Sequence, residues 1–213
     1  MELDLGQWII IGICAVLIGG YIYGYYYNRR KAENISVWLK AGLEKWGKVS
    51  AGRPLGGLGS GGRLYADQTA EPFQRIEAIF LLEPRENLLF WLFHRLQGRR
   101  DELVLKISLR AAPEQEVEAA RRGDREFASR LAKASKKPFK KADSPQGFEM
   151  AYRSGKGTRA VESIRAFLEQ YDRAIFRLTL RRESPHLFLR TYLPLIQAES
   201  AEKFFSALSD LGR

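Results

Sequence analysis

The sequence is poor in the residues from which most catalytic and metal sites are built. It contains one cysteine, Cys14, so an intrachain disulfide and a cysteine metal site are both excluded. The only histidines are His94 and His186, and neither has Cys, Asp and His neighbours at ligand spacing. We expect each histidine to be packed or at the surface. The sequence therefore predicts no metal, no cofactor and no small-molecule substrate.

Familiar catalytic and phosphate-binding motifs are also missing. No G-x-S-x-G, H-E-x-x-H or paired-cysteine motif occurs. Gly57, Gly59 and Gly62 satisfy G-x-G-x-x-G, but the dinucleotide fingerprint needs a strand before the glycines and a helix after them. Here a helix-like segment precedes and an extended one follows. Residues 154–158 lack the upstream glycine and the Lys-Thr adjacency of a phosphate loop. These absences favour a protein that is not an enzyme.

Charge is absent from residues 7–27, which read QWIIIGICAVLIGGYIYGYYY. At a rise of about 1.5 Å per residue, about twenty residues cover the roughly 30 Å of bilayer hydrocarbon as one helix. A cleaved secretory signal would carry its positive charge before the apolar run and end in small residues, whereas this run follows Glu2 and Asp4 and ends in tyrosines. The length argues against the other alternative, a buried core helix of a soluble protein. We expect a retained transmembrane helix at residues 7–28.

The charges flanking this run predict its orientation. Arg29, Arg30 and Lys31 follow it directly, and they are the residues expected at the headgroups. By the positive-inside rule, residues 1–6 lie outside the cell or in a lumen, and everything after Asn28 lies in the cytoplasm. The sequence thus predicts a single-pass membrane protein.

Small residues recur along the run at helical spacing. They let two helix backbones approach closely in lipid, so they predict a face for a partner helix. The face comprises Gly12, Ala15, Gly19, Gly20 and Gly24, of which the last two form a G-x-x-x-G pair.

The whole chain carries a formal net charge of +10. A basic domain tethered to a membrane is attracted to anionic lipid, to RNA or to an acidic protein surface, and charge alone does not choose among them. We expect a juxtamembrane amphipathic helix at residues 29–50, a Gly-rich linker at 51–62 and one cytoplasmic domain at 63–213. In the juxtamembrane helix, apolar residues recur every three or four positions. This face either packs on the domain's own sheet, which we prefer, or rests on the headgroup layer.

Residues 63–213 mix strand and helix patterns, with a short connection at 183–185 suited to a hairpin. This mixture predicts an α+β fold with a mixed or antiparallel sheet. The expected strands are 63–67, 74–82, 103–109, 148–153, 174–181 and 186–193, and the expected helices are 84–97, 124–135, 159–171 and 200–211.

The helix expected at 84–97 is apolar around its whole circumference and too short to span a bilayer. A helix apolar on all sides must be covered on all sides, so we expect it to be buried within the domain and its immediate neighbours. The alternative is an exposed groove offered to a membrane or a client helix. Its hydrophobic residues are Leu88, Leu89, Phe90, Trp91, Leu92 and Phe93.

A basic stretch follows the middle of the domain. Such a stretch is usually a solvated face, and contact with the phosphates of lipid or nucleic acid is the alternative. Its cations are Arg121, Arg122, Arg125, Arg130, Lys133, Lys136, Lys137, Lys140 and Lys141.

The order of these features is similar to that of a known family. The span is followed by Asn-Arg-Arg-Lys at 28–31 and a Trp-Leu-containing helix, then by the RENLL sequence at 85–89 and DELVLKI at 101–107. Later, FLEQYDR at 167–173 leads into a strand. This order resembles the calumin family, the coiled-coil-domain-containing subunit of the PAT complex at the endoplasmic-reticulum translocon. The resemblance covers the span and nearly all of the following domain.

The resemblance implies an intramembrane chaperone or biogenesis factor for multipass membrane proteins. It also implies work beside the Sec translocon and the ribosome, paired with a small multi-span membrane protein. Family members carry a long acidic lumenal segment linked to calcium and a long basic coiled coil that reaches toward the ribosome. Only residues 1–6 precede the span and the sequence stops at Arg213. We therefore expect a compact relative without calcium binding, and ribosome contact is left open. The alternatives are an accessory subunit of another membrane complex and a basic domain that binds anionic lipid or RNA.

Overall fold

The computed structural model of the chain describes residues 4–52, 55, 60–133, 138–153 and 159–212. The helices in this part of the chain are α1 (Leu5–Glu44), α2 (Leu88–Leu96), α3 (Arg125–Lys133), α4 (Arg159–Gln170), α5 (Leu193–Ile196) and α6 (Ala201–Asp210). The strands are β1 (Lys48–Ala51), β2 (Gly61–Asp67), β3 (Phe73–Leu81), β4 (Glu102–Leu109), β5 (Glu116–Arg121), β6 (Lys140–Ala142), β7 (Phe148–Arg153), β8 (Ile175–Leu180) and β9 (Leu187–Tyr192).

Helix α1 runs for 40 residues without a break. A capping box begins it: the Asp4 carboxylate accepts from the Leu5 amide (2.8 Å), and the Gln7 side chain accepts from the Asp4 amide (3.1 Å). The apolar first part is long enough to cross a membrane, and none of its most apolar window is buried within the protein. The later part is different, since Ile35 and Leu39 are fully buried. One helix thus carries two kinds of surface.

The later part of α1 packs with α4 and α6 on one face of the sheet. The Trp38 and Phe204 rings lie 6.2 Å apart, and Phe167 of α4 lies 6.3 Å from Phe204. Gly42 allows α1 to approach α6 closely, because a Cβ there would lie 2.6 Å from the Phe205 ring. The preferred interpretation of this amphipathic segment, packing on the domain itself, is confirmed, but its helix ends at Glu44 and residues 48–50 belong to β1. The segment shares one core with the sheet.

The strands form one nine-stranded sheet in the order β1-β2-β3-β4-β9-β8-β5-β7-β6. Every described strand pair is antiparallel. The α+β prediction is therefore confirmed, with the antiparallel form of the sheet. The predicted hairpin is confirmed as well, since β8 and β9 pair directly, with Leu180 opposite Leu187.

Three strands of the sheet, β1, β5 and β6, are not among those expected from the sequence. The charged run that includes residues 116–121 forms β5, an interior strand that pairs with β7 and β8. The segment interpreted as a linker, 51–62, connects the paired strands β1 and β2, with Ala51 opposite Leu64. Residues 53, 54 and 56–59 of that segment, like residues 154–158, lie outside the described residues. The segment therefore joins two paired antiparallel strands, with its first residue in β1 and its last two in β2.

Candidate membrane-facing site

Six polar side chains meet where α1 leaves its apolar first part. They come from α1, from the segment between β3 and α2, and from the residue before β4. We call this group the junction cluster, and its members are Asn28, Lys31, Glu83, Arg85, Glu86 and Asp101.

Asn28 joins α1 to the rest of the cluster and is fully buried. Its amide nitrogen donates to the Glu83 carbonyl (2.9 Å) and to the Glu86 carboxylate (3.0 Å). Its amide oxygen accepts from the Arg85 guanidinium at 3.0 Å. A buried amide costs free energy unless its hydrogen bonds are made, and here both of its ends are bonded. Asn28 therefore fixes α1 to the domain at one position along the helix.

Asp101 is the anion at the centre of the cluster, and its side chain is 1% exposed. It accepts two hydrogen bonds from the Arg85 guanidinium, both at 2.9 Å, and the Lys31 ammonium lies 2.6 Å away. Burial alone would raise the pKa of Asp101, but the bonds from Arg85 and Lys31 and from the Glu83 amide (2.7 Å) more than offset it. The net pKa of Asp101 lies below its usual value, so the carboxylate is charged at neutral pH.

The pKa of Arg85 shifts in the opposite direction to that of Asp101. Burial lowers the pKa of its guanidinium, while the hydrogen bond and the charge of Asp101 raise it, and the net pKa is above the usual value. The Arg85 guanidinium also contacts the Glu83 carboxylate at 2.6 Å and lies 5.1 Å from the centre of the Tyr27 ring. The pair is thus a buried, fully ionised contact held in a defined geometry.

The predicted small-residue face divides into two. Gly24 lies against the chain's own loop, because a Cβ there would lie 2.6 Å from the Glu86 amide nitrogen and closer still to the Arg85 carbonyl. Gly20 lies against the Leu88 side chain. In contrast, Gly12 and Gly19 are exposed, and a Cβ at either would meet no described atom within 4 Å. On a helix, Gly20 and Gly24 lie about 120° round from Gly12, Ala15 and Gly19. Only the latter three are open to a partner.

Helix α2 begins at Leu88, capped by the Asn87 side chain, which accepts from the Phe90 amide at 3.0 Å. Trp91 faces the protein and donates to the Glu83 carboxylate at 3.3 Å. No residue of α2 is buried. The domain itself therefore does not bury this helix, and that part of the expectation is wrong. Its exposed side, here called the α2 apolar face, consists of Leu89, Phe90, Leu92, Phe93 and Leu96, with exposed fractions between 48% and 80%.

The three cations after the apolar run have different environments. Arg29 is exposed and lies 3.4 Å from Glu33, and Arg30 is also exposed. Lys31 instead turns into the junction cluster, where it pairs with Asp101. Two of the three predicted headgroup cations are thus open to solvent, and the third has a structural partner.

The predicted basic stretch lies on β5, α3 and β6, at the sheet edge opposite β1 and β2. Part of it serves the fold. Arg121 donates to the main-chain carbonyls of Asp172 and Ile175, and Arg130 lies 3.3 Å from the carboxylates of Glu118 and Glu126. Lys136 and Lys137 lie outside the described residues. The exposed cations of the stretch are Arg122, Arg125, Lys133, Lys140 and Lys141.

A buried ion pair under α3 was not anticipated from the sequence. The Arg177 side chain is 4% exposed and donates to Glu118 of β5 (3.3 Å) and to Glu126 of α3 (2.8 Å). Thr179 donates to the same Glu118 carboxylate at 2.9 Å. Glu118 and Thr179 lie opposite each other on the paired strands β5 and β8. Recognising a strand at 116–121 in the sequence would have allowed this cross-strand contact to be predicted. The pair anchors α3 to the sheet.

The histidines have the packing roles expected of them. His186 is buried, and its Nδ1 accepts from the Leu109 amide at 2.8 Å. His94 packs on Phe90, with ring centres 4.1 Å apart. Among the residues that the structure describes, no group of three or more His, Cys, Asp or Glu side chains is placed to hold a metal ion.

Comparison of the sequence with models of known protein families finds no match, and comparison with curated proteins finds none either. The comparisons neither support nor contradict the resemblance to the calumin family.

Proposed function

We propose that this protein is a membrane-anchored, non-enzymatic interaction protein that acts as an intramembrane chaperone or scaffold for other membrane proteins. The observation that carries the proposal is α1, a single helix that passes from an uncovered apolar surface into the core of a folded domain. The domain would lie on the cytoplasmic side, as the charge asymmetry around the span indicates.

The connection between the anchor and the domain supports a scaffold. Helix α1 continues unbroken through Asn28, which is fully buried, and on to Leu43, also fully buried. No loop separates the anchor from the core, so the domain cannot turn about a hinge there. A rigid connection of this kind holds partners on the anchor and partners on the domain in one fixed relation.

The open small-residue face suits a partner helix in the membrane. Gly12, Ala15 and Gly19 are exposed on one side of α1, and the glycines have free space above them. Close approach of backbones over such residues drives helix association in lipid. The resemblance to the calumin family implies the partner: a small multi-span membrane protein beside the Sec translocon.

The proposal is tested by photo-crosslinking in native membranes. A photoreactive residue at Ala15 is compared with one at Ile10, which is 62% exposed and about 140° away round the helix. We expect Ala15 to yield adducts with multi-span proteins or Sec components, and Ile10 to yield few. Equal labelling of such proteins from both sites, or none from Ala15, would refute a dedicated helix-binding face.

A second candidate function follows from the basic edge of the sheet. The exposed cations of α3 and β6 form a surface separate from α1, which suits the phosphates of RNA or of anionic lipid. Replacing Arg122, Arg125 and Lys133 with glutamine should weaken salt-sensitive binding to ribosomes or to anionic vesicles. Unchanged binding would leave this edge as a solvated face.

The crosslinking result also separates the chaperone from an accessory subunit. A chaperone would give adducts with many different nascent multi-span proteins. A permanent subunit of some other membrane complex would give one partner in constant ratio. The same Ala15 probe therefore decides between these two. The variants of the basic edge test binding to RNA or anionic lipid independently.

A further inference from the structure

We infer that α2 is a second membrane-contacting element, whose apolar face inserts among the acyl chains of an anionic phospholipid bilayer beside the span. The inference rests on the membrane anchorage proposed above. It adds a new lipid-binding site within the folded domain.

The depth of α2 is set by its contacts with α1. A Cβ on Gly20 would lie 3.5 Å from Leu88, so the first residue of α2 lies level with residue 20. Residue 20 lies seven residues, or about 10 Å, inside the end of the uncharged run at Tyr27. If α1 crosses the bilayer, the start of α2 is therefore within hydrocarbon.

Residues 84–100 form a segment that leaves the junction cluster and returns to it, so both of its ends are fixed there. On one side, Glu83 and Arg85 bond to Asn28; on the other, Asp101 bonds to Lys31. From that level the chain reaches Gly20, about 12 Å from Asn28 along the helix, at the start of α2, and it returns to the cluster at Asp101. The cluster therefore sets how far α2 enters the membrane.

The exposed surface of α2 is of the kind that lipid covers. Its five apolar side chains occupy a continuous arc of about 160° on the helix, from Leu92 round to Phe90. The opposite side, with Leu88 and Trp91, faces α1 and the junction cluster. An exposed apolar patch of large side chains is rare on a soluble surface, and interfacial helices place such a face at the acyl boundary.

The charges beyond α2 match an anionic surface. Gly98 ends the helix with a φ of +77°, a conformation that favours glycine, and the chain turns. Arg95, in the last turn of α2, is exposed and lies 3.6 Å from Glu83. Arg99 is exposed and Arg100 is partly exposed, just before Asp101, which pairs with Lys31. Together with Arg29 and Arg30, they place cations where the headgroups of the bilayer would lie. Apolar and basic surfaces thus follow each other in the order of a membrane leaflet.

The test uses the full-length chain with Cys14 replaced by serine and one new cysteine, labelled with an environment-sensitive fluorophore. The probe is placed at Phe93 on the α2 apolar face, at Val16 on the span, or at Ala166 on α4 as the aqueous control. Val16 is 61% exposed and Ala166 is exposed on the domain. Each protein is reconstituted at one copy per nanodisc of phosphatidylcholine and phosphatidylglycerol. Quenching by a nitroxide attached to the acyl chain is compared with quenching by a water-soluble one.

We expect the Phe93 probe to behave like the Val16 probe, with acyl-chain quenching several-fold stronger than aqueous quenching. The Ala166 probe should show the reverse. A water-exposed Phe93 probe beside a lipid-exposed Val16 probe would overturn the inference and leave the anchorage intact. A water-exposed Val16 probe would overturn the anchorage itself. A Phe93 probe shielded from both quenchers would also overturn the inference, because it would show α2 covered by protein.

A second test introduces a charge at Phe93, a surface position that does not contribute to the core. Because Phe93 is 56% exposed, Phe93→Glu should leave the domain folded in detergent. In nanodiscs, a probe at Leu89 of this variant should lose acyl-chain quenching several-fold, while Phe93→Leu should keep it. Equal quenching in both variants would contradict insertion of this face.

Discussion

The substitution Gly24→Ala should destabilise the domain, although alanine is normally the better helix former. The added Cβ would lie 2.6 Å from the Glu86 amide nitrogen, where ordinary contact begins near 3.4 Å. The 84–87 loop must therefore retreat by about 0.8 Å from that atom, and by more from the Arg85 carbonyl. The loop carries two bonds to Asn28, one from the Arg85 guanidinium and one to the Glu86 carboxylate, both 3.0 Å long, and these would lengthen.

The magnitude follows from three terms. Forcing a side chain into a packed contact costs about 1–3 kcal/mol. Weakening two hydrogen bonds costs about 1 kcal/mol each. The helix propensity of alanine over glycine returns up to about 1 kcal/mol. We expect the free energy of unfolding to fall by about 2–4 kcal/mol.

The assay is a urea titration of the detergent-solubilised protein, followed by loss of tryptophan fluorescence from the folded domain. Gly19→Ala is the matched control, because no atom of the described residues lies within 4 Å of its added Cβ. It should leave the free energy of unfolding within about 1 kcal/mol of the unchanged protein. If Gly24→Ala proved as harmless as Gly19→Ala, the proposed contact between α1 and the 84–87 loop would be wrong.

Three further predictions test the junction and the core. Asp101→Asn should cost about 3–5 kcal/mol by leaving Arg85 and Lys31 without their buried anion, measured by the same titration; an unchanged midpoint would contradict the cluster. Because the folded pKa of Asp101 is lowered, its stabilisation is complete above the unfolded value of about 3.9 and is lost as the pH falls from there toward the folded value. The variant's stability should therefore vary less with pH below about 4, and an equally steep acid loss would refute this. Leu39→Ala should cost about 2–5 kcal/mol because Leu39 is fully buried, whereas Val37→Ala, at a site 69% exposed, should have little effect; equal effects would contradict the packing of α1.

Local patterns predicted much of this fold. The apolar run without charge and the three- and four-residue spacing after it describe α1 well, since periodicity reports which side of a helix is covered. The alternation in residues 103–109 corresponds to β4, in which every second side chain is buried. Such signals depend only on neighbours in the chain, so they can be recognised without knowledge of the three-dimensional arrangement.

The parts that were missed depend on contacts between distant segments. Strand β5 is rich in charge and alanine, and only its pairing with β7 and β8, together with the buried Arg177–Glu118 pair, makes it a strand. The exposure of α2 follows from its position beside Gly20, which no local pattern reveals. For the same reason the sequence predicts that Gly24 faces a partner helix. In the structure Gly24 instead contacts the chain's own 84–87 loop.

The candidate site, too, was predicted only where local composition marks its residues. The sequence indicated Arg29, Arg30 and the apolar residues of α2, because composition marks them. It gave no indication of the Asn28–Arg85–Asp101 contacts, whose members are 57 and 16 positions apart in the chain. Polar residues that meet only in the folded protein have no spacing signature. The proposed membrane contact of α2 depends on these contacts, because they hold the segment beside α1.

The central claim, that the first part of α1 lies in lipid, is tested most directly by the native Cys14. It is the only cysteine, and the described part of the chain leaves it exposed, so protection from a water-soluble reagent must come from outside the chain, as a membrane would provide. In intact membrane vesicles washed with alkaline carbonate, a water-soluble maleimide should fail to label Cys14 until detergent is added. Labelling without detergent, or release of the protein by the carbonate wash, would contradict the account.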